Sequence, residues 1–218
     1  MNTIVYYLGN AMYGVLVLQG LYGAYLTVVV WMRLGRLRFK DEKTQNEFLD
    51  LVEGELSKPD VSAAMELCEE DDRAVPQLTL LAIVNRKLGF GKVRQLIIDR
   101  FQRDVLADLE YRMSWINTMI KSAPMVGLLG TVVGMMAAFG MMSGGGGDGS
   151  ADKTADQAAL ATNISIALIT TAMGLTIAIP LLVCVAAINV RIRKLEDLVS
   201  AGLSRFFDVF KERGIDSA

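Results

Sequence analysis

Three long stretches without a charged residue constrain this chain more than any other feature. They cover residues 1–32, 122–147 and 157–190 of a chain of 218 residues, and charged sequence separates them. A helix crosses the hydrocarbon core of a bilayer with about 20 apolar residues, so each stretch is long enough to span it. The 52% of hydrophobic residues in the whole chain agrees with this. The stretches predict a membrane protein with three spans and one sizeable soluble segment.

Basic residues are placed unevenly around these stretches. Four of them occur at residues 33–40, directly after the first stretch, and three at residues 191–194, directly after the third. The loop between the second and third stretches holds one lysine against three aspartates. Basic residues near span ends stay on the cytoplasmic side. The distribution therefore predicts an N-terminus outside the cytoplasm and a cytoplasmic C-terminus.

The predicted fold is an all-α membrane protein whose transmembrane helices extend into a cytoplasmic helical domain. The first stretch is not expected to be a cleaved signal peptide, because no basic residue precedes it and it is longer than a typical apolar signal region. The predicted segments are a periplasmic N-terminus at 1–10, transmembrane helices at 11–32, 116–143 and 161–190, a cytoplasmic helical domain at 33–115, a periplasmic loop at 144–160 and a cytoplasmic helical tail at 191–218.

The soluble segment has the apolar periodicity of helices. Between Lys92 and Met113, apolar residues recur at spacings of three or four, and no helix breaker occurs before Pro124. We therefore expect one helix to continue from this segment into the second span. The helix before it is expected to end at Gly89 or Gly91. The amphipathic tail is expected to extend the third span.

Few residues of the chain suit enzyme chemistry. Histidine is absent, which removes the commonest general base and metal ligand. The two cysteines, Cys68 and Cys184, are predicted in the cytoplasm and in the third span, so neither a disulfide nor a metal site is expected. The glycine-rich residues 144–149 indicate a linker, and a net charge of −2 indicates no nucleic-acid partner. We expect no enzyme, no cofactor and no metal.

Glycines recur through the second span, where they would weaken a helix in water. At about 100° per residue, Gly127, Gly130 and Gly134 fall within one narrow stripe, and Thr131 lies at its edge. Small residues let membrane helices approach closely. The glycines therefore predict a helix–helix packing face.

The third span repeats this pattern. Gly174 and Thr171 share one face, and Thr170, Asn163 and Ser165 add polar groups that are candidates for a secondary role in a pore. A single membrane threonine usually bonds a carbonyl one turn back in its own helix. Two threonines facing each other from two glycine-bearing helices instead indicate a narrow polar path. Both interpretations are open at this stage.

The three uncharged stretches contain no Asp, Glu, Lys, Arg or His. Ionisable residues within the membrane normally mark proton relays. If this chain moves protons, the titrating group must therefore come from another chain.

Two membrane segments carry a resemblance to a known family. SAPMVGLLGTVVGMMAAF and ISIALITTAMGLTIAIP resemble the second and third membrane helices of the ExbB/TolQ/MotA proton-channel family. Residues 58–89 look similar, more loosely, to its cytoplasmic helical stretch. Three spans fit the ExbB and TolQ branch, since the MotA branch has four.

The resemblance implies an ion-channel subunit of the bacterial inner membrane. Such proteins form pentamers around two copies of an ExbD/TolR-type single-span partner, whose membrane aspartate takes and releases the ion. A TonB/TolA-type protein is a further partner in some of these systems. The channel threonines of the family fall on Thr131 and Thr171. Ion flow would drive relative rotation of the two components and so perform work on the cell envelope or in outer-membrane transport.

Two positions depart from the family pattern or refine it. Family members often carry a glutamate in the third span where this chain has Ile166. Sodium-driven relatives carry a second hydroxyl after the third-span threonine. Here Ala172 follows Thr171, which favours H⁺ over Na⁺, although Thr170 precedes it. The alternative to a channel subunit is a non-conducting membrane scaffold that assembles an envelope complex.

Overall fold

The computed structural model describes residues 2–39, 41–56, 62–144 and 153–212. All the regular secondary structure in these ranges is helical, which confirms the predicted all-α fold. The elements are α1 (Asn2–Leu37), α2 (Glu42–Leu56), α3 (Ser62–Glu69), α4 (Ala74–Val84), a 3-10 turn (Arg86–Leu88), α5 (Phe90–Arg100), a π-helical segment (Phe101–Leu106), α6 (Ala107–Gly144) and α7 (Lys153–Glu212).

Within the described ranges, three helices are long and apolar enough to cross a membrane. The candidate spans are Ala11–Leu37, Phe90–Gly140 and Leu160–Lys211. They contain the larger part of each of the three uncharged stretches. The chain is therefore a multi-pass membrane protein with three spans.

The expected continuity between soluble and membrane helices is confirmed. The α5 helix, the π-helical segment and α6 follow one another without a break, and α7 is 60 residues long. Helix α7 begins at Lys153 and α6 includes Gly144, so helical structure covers part of the loop predicted at 144–160. Most of the glycine-rich segment lies outside the described residues.

The helix before α5 ends earlier than expected, at Val84 and not at Gly89 or Gly91. The side chain of Asn85 donates a hydrogen bond to the Leu81 carbonyl at 2.8 Å, and its backbone N–H reaches the same carbonyl at 3.2 Å. Asn85 itself leaves the α-helical conformation, with φ −95° and ψ 15°, and the 3-10 turn follows. The chain then turns through Gly89, whose φ of +84° is one that glycine adopts readily.

Packing divides the chain into two compact units. The first unit comprises residues 1–28 and 113–186, and the second comprises 29–112 and 187–218. The first unit holds the apolar parts of α1, α6 and α7. The second holds α2 to α5 and the charged parts of the three long helices.

Helix α7 contributes to the core of the second unit. Phe206 of α7 is almost fully buried, as are Leu49 of α2 and Ile97 of α5. The Gln45 side chain donates to the Leu198 carbonyl at 2.7 Å, and Arg205 forms ion pairs with Asp50 and Glu53 of α2. Apolar burial and polar contacts together therefore hold α2 against α7.

Candidate ion pathway at the contact between α6 and α7

In the first unit, α6 and α7 approach each other at backbone distance. A Cβ atom added to Gly127 would lie 2.8 Å from the Thr170 carbonyl oxygen and 2.9 Å from the Thr171 Cα. A Cβ atom added to Gly174 would lie 2.6 Å from the Ala123 carbonyl oxygen. Neither position leaves room for a side chain, so glycine in each helix admits the backbone of the other.

Gly130 admits a side chain of the facing helix. A Cβ atom there would lie 2.8 Å from the Thr170 Cβ and would also collide with the Thr170 hydroxyl. Gly134, the remaining glycine of the predicted stripe, is half-buried. Thr170 itself is 3% exposed. The structure therefore places Thr170 inside the contact between the two helices. Its side chain packs against α6 and does not face an open polar surface.

Two adjacent hydroxyls of α7 converge on one carbonyl of α6. Both Thr170 Oγ1 and Thr171 Oγ1 lie 3.1 Å from the Gly127 carbonyl oxygen. Thr170 Oγ1 also lies 2.7 Å from the Ala167 carbonyl oxygen of its own helix. A hydroxyl carries one proton, so Thr170 donates to one of these carbonyls at a time, whereas Thr171 has Gly127 as its acceptor. Thr171 thus joins the two helices through a hydrogen bond.

Thr131 bonds within its own helix. Its hydroxyl donates to the Leu128 carbonyl at 2.7 Å, and the residue is half-buried. Thr171 is also half-buried. No hydrogen bond joins Thr131 to Thr171, both of which the structure describes. The two hydroxyl oxygens keep lone pairs that can accept a further hydrogen bond.

Helix α1 packs on the side of α6 away from Thr131. Gln19 Nε2 of α1 donates to Ser122 Oγ at 2.8 Å. Ser122 and Thr131 are nine residues apart, which at about 100° per residue puts them on opposite sides of α6. Gly20 of α1 faces Ile177 of α7, whose Cγ1 would lie 3.3 Å from an added Cβ. The edge that carries Thr131 is therefore free of α1.

Exposed apolar side chains flank the two threonines. Leu128 and Met135 lie near Thr131 on α6 with exposed fractions of 60% and 45%, and Leu168 and Leu175 lie near Thr171 on α7 with 64% and 45%. A membrane protein covers such a face with lipid tails or with another protein.

The remaining sequence-predicted residues are placed as follows. Ser165 is exposed, and the side chain of Asn163 lies outside the described residues. Ile166 is 44% exposed, and its carbonyl accepts a hydrogen bond from the Tyr13 hydroxyl at 3.3 Å. Ala172 is exposed.

The sequence interpretation missed Gln19. Its amide side chain lies in the first uncharged stretch against Ser122 of α6, and its Oε1 is buried with no hydrogen-bond partner among the described residues. An amide in an otherwise apolar span was the available signal, because polar groups in lipid seek partners on neighbouring helices.

Cys68, in the second unit, is not a reactive thiol. Burial raises the pKa of the Cys68 thiol to about 12, and the nearby Asp71 carboxylate adds to the shift. The thiol is therefore neutral at physiological pH, whereas the thiolate is the nucleophilic form. Within the described ranges, no group of three or more His, Cys, Asp or Glu side chains is arranged to hold a metal ion.

Sequence comparison with known proteins matches the part of the chain that contains this contact. The sequence model of the MotA/TolQ/ExbB proton channel family matches residues 90–201, a range that contains the whole α6–α7 contact. A biopolymer transport protein of Helicobacter pylori named ExbB-like 2 is 35% identical over 121 residues, which cover 56% of this chain and 74% of that protein. The biopolymer transport protein ExbB of Helicobacter pylori is 34% identical over 117 residues, with coverage of 54% and 73%.

A relative from the Tol branch also matches. The Tol-Pal system protein TolQ of Haemophilus influenzae is 30% identical over 113 residues, covering 52% of this chain and 46% of TolQ. The members of this family are transport proteins and not enzymes. The chain belongs to the MotA/TolQ/ExbB proton channel family.

Proposed function

We propose that this chain is an inner-membrane proton-channel subunit that works with an ExbD/TolR-type single-span partner. The observation that carries the proposal is the position of Thr131 and Thr171. Both are half-buried at the edge of a glycine-lined helix contact, on the side that α1 leaves free. The three uncharged stretches offer no carboxylate of their own, so the partner's membrane aspartate would supply the titrating group.

The energetics of such a site are consistent with proton-driven steps. A charged aspartate near the bilayer centre costs several kcal/mol, on the order of 2.5–3.5 for a residue on a spanning helix. A threonine hydroxyl that turns from its own carbonyl acceptor, Leu128 for Thr131 or Gly127 for Thr171, can donate to the carboxylate and lower this cost at one angular position. Protonation then lets the aspartate pass the apolar side chains that flank the threonines. Moving one charge through 100 mV supplies about 2.3 kcal/mol, which is enough to bias each step.

The assembly proposed is a homopentamer around two copies of the partner. The exposed apolar face beside the threonines would then be covered by neighbouring copies and by the partner's helix. The N-terminus would be periplasmic, as the basic residues after the first and third spans indicate. Relatives named for biopolymer transport and for the Tol-Pal system support a role in outer-membrane transport or envelope work, with a TonB/TolA-type protein as a further partner.

The test replaces each pathway threonine by isosteric valine. Thr131→Val and Thr171→Val are each expected to lower proton flux through the purified complex in liposomes by tenfold or more, since a lost hydrogen bond to a charged group is worth about 1.5–3 kcal/mol. Flux is read from a pH-sensitive dye inside the vesicles.

Two threonines of the same helices provide matched controls. Thr118 of α6 donates to the Ser114 carbonyl at 2.9 Å, and Thr176 of α7 donates to the Ala172 carbonyl at 2.8 Å. Both are exposed and bond within their own helix. Thr118→Val and Thr176→Val are expected to leave flux unchanged. If the pathway variants conduct as well as the controls, the pore assignment fails.

A non-conducting scaffold is the second candidate. The internal hydrogen bond of Thr131 to Leu128 favours it, because a hydroxyl in this state needs no ligand. Native mass spectrometry of the complex purified from its own cells separates the candidates. A channel subunit is expected to retain a single-span protein with a membrane aspartate, and a homomer that never retains one would support the scaffold.

A further inference from the structure

The second unit contains a polar cavity of about 530 Å³ that the channel mechanism does not use. Arg36 and Arg38 reach it from the end of α1, and Arg191 reaches it from α7. Asp71, Asp72 and Arg73, which lie between α3 and α4, complete its polar lining.

This cavity lies beside the ends of the first and third uncharged stretches. The first uncharged stretch ends at Met32 and the third ends at Val190, directly before the residues that line the cavity. The guanidinium carbon of Arg191 lies 3.6 Å from the ring centroid of Trp31, so the two span ends are held together. Tryptophan is enriched at the membrane–water interface, and this pair is typical of that position.

The charges of the lining are unequal, with four arginines against two aspartates. Arg73 lies 3.6 Å from Asp71 and also packs its guanidinium carbon 4.4 Å from the ring centroid of Phe39. Arg36, Arg38 and Arg191 form no ion pair with any carboxylate in the part of the chain that the structure describes. The cavity therefore holds guanidinium groups whose charge its own lining does not neutralise.

Exposed apolar residues precede the cavity arginines along both helices. Met32 is 51% exposed and Val190 is 56% exposed, each just within the span that leads to the arginines. A ligand that fits both features has a phosphate group for the arginines and an acyl chain for the exposed apolar residues. Arginine presents a planar fork of donors that matches phosphate oxygens.

We propose that this cavity binds the phosphate headgroup of an anionic phospholipid. The headgroup lies between Arg36, Arg38 and Arg191, and one acyl chain follows the exposed residues at the ends of the first and third spans. Asp71 and Asp72 disfavour ligands of higher negative charge and accept hydrogen bonds from hydroxyls of a glycerol headgroup. The site is independent of the threonine pathway in the first unit.

The test measures binding of phosphatidylglycerol to the full chain in detergent by native mass spectrometry. Arg36→Gln combined with Arg38→Gln is expected to weaken binding tenfold or more, since charge-assisted contacts to phosphate are the strong ones. Arg193→Gln is the matched control. It removes the same kind of charge from α7 two residues after Arg191, but Arg193 is exposed and does not line the cavity.

Further arms separate the lipid from a free anion. Phosphatidylcholine and inorganic phosphate are the comparison probes, and neither is expected to compete with phosphatidylglycerol. Inorganic phosphate that displaces the lipid would overturn the lipid assignment, and equal affinity of the double variant and the unmodified chain would overturn the site.

If the double variant does not fold, Arg191→Lys keeps the charge and removes the planar fork. It is expected to bind the lipid several-fold more weakly, and unchanged binding would again overturn the site.

Discussion

Helix α7 makes two contacts that use glycine in different ways. In the first unit, Gly174 leaves space for the backbone of α6, where the Ala123 carbonyl would lie 2.6 Å from an added Cβ. In the second unit, Gly202 leaves space for the amide of the Gln45 side chain, which in turn donates to the Leu198 carbonyl. One contact is between two backbones, and the other is between a backbone and a side chain.

The difference follows from the surroundings of each unit. In lipid, apolar contact between helices brings no hydrophobic gain, so close approach of backbones and short hydrogen bonds hold α6 against α7. In water, α2 buries Leu49 and Val52 completely, and hydrophobic burial supplies the main driving force. A long helix can thus be held by close backbone contact in one part of its length and by hydrophobic burial in another. Single substitutions should reveal this change.

The largest effect is expected from Gly174→Ala. The added methyl meets the Ala123 carbonyl, and backbone cannot move aside without separating α6 from α7. Overpacking of this kind costs about 1–3 kcal/mol, and it would also displace Thr171. We expect a lower thermal midpoint in detergent and a loss of proton flux. Gly14→Ala in α1 is the control, since nothing lies within 4 Å of an added Cβ there. Equal midpoints for the two variants would contradict the backbone contact.

A smaller effect is expected from Gly202→Ala, at about 1 kcal/mol. The methyl displaces the Gln45 amide and breaks its hydrogen bond, while alanine favours the helix. The effect should disappear when Gln45→Ala is already present, because the obstacle is then gone. A double-mutant cycle on thermal unfolding measures this coupling. A second substitution cannot relieve Gly174→Ala in this way, because the obstacle there is the backbone carbonyl of Ala123. If the cycle shows no coupling between Gly202 and Gln45, the Gln45 side chain is not the obstacle at Gly202. The proposed difference between the Gly174 contact and the Gly202 contact would then be wrong.

The smallest effect is expected from Arg205→Met. The hydrogen bonds that Arg205 donates to Asp50 and then to Glu53 raise the pKa of Arg205, so the guanidinium stays charged at any physiological pH. The side chains of Arg205 and Asp50 are 36% and 64% exposed, and such pairs contribute about 0–1 kcal/mol. The difference from the unmodified chain should shrink as ionic strength rises. A loss as large as that of Gly174→Ala would mean that charge, and not burial, holds α2 to α7.

Much of the fold is predictable because it depends on local composition. Uncharged stretches identify the spans, and spacings of three or four apolar residues identify the helix that runs through α5 into α6. The end of α4 is not predictable in this way. It depends on Asn85, whose side chain competes for the Leu81 carbonyl, and this signal is weaker than that of Gly89.

The candidate site is predictable only in part. Residue spacing puts Gly127 and Gly130 on one face of α6, and an added Cβ at either glycine would meet Thr170 of α7. The spacing of residues in the sequence does not tell which atom each side chain contacts or hydrogen-bonds. Thr170 is therefore found buried against Gly130, and Gln19 bonds Ser122 across α1 and α6. The roles of Thr131 and Thr171 in ion passage stay predictions.

The central claim is that the pathway is incomplete without a carboxylate from a second chain. Proton flux into liposomes tests it directly, with the purified chain alone compared with the chain and its single-span partner. We expect the chain alone to give no more flux than empty vesicles, and the complex to conduct until the partner's membrane aspartate is replaced by asparagine. Flux through the chain alone at the rate of the complex would contradict the account.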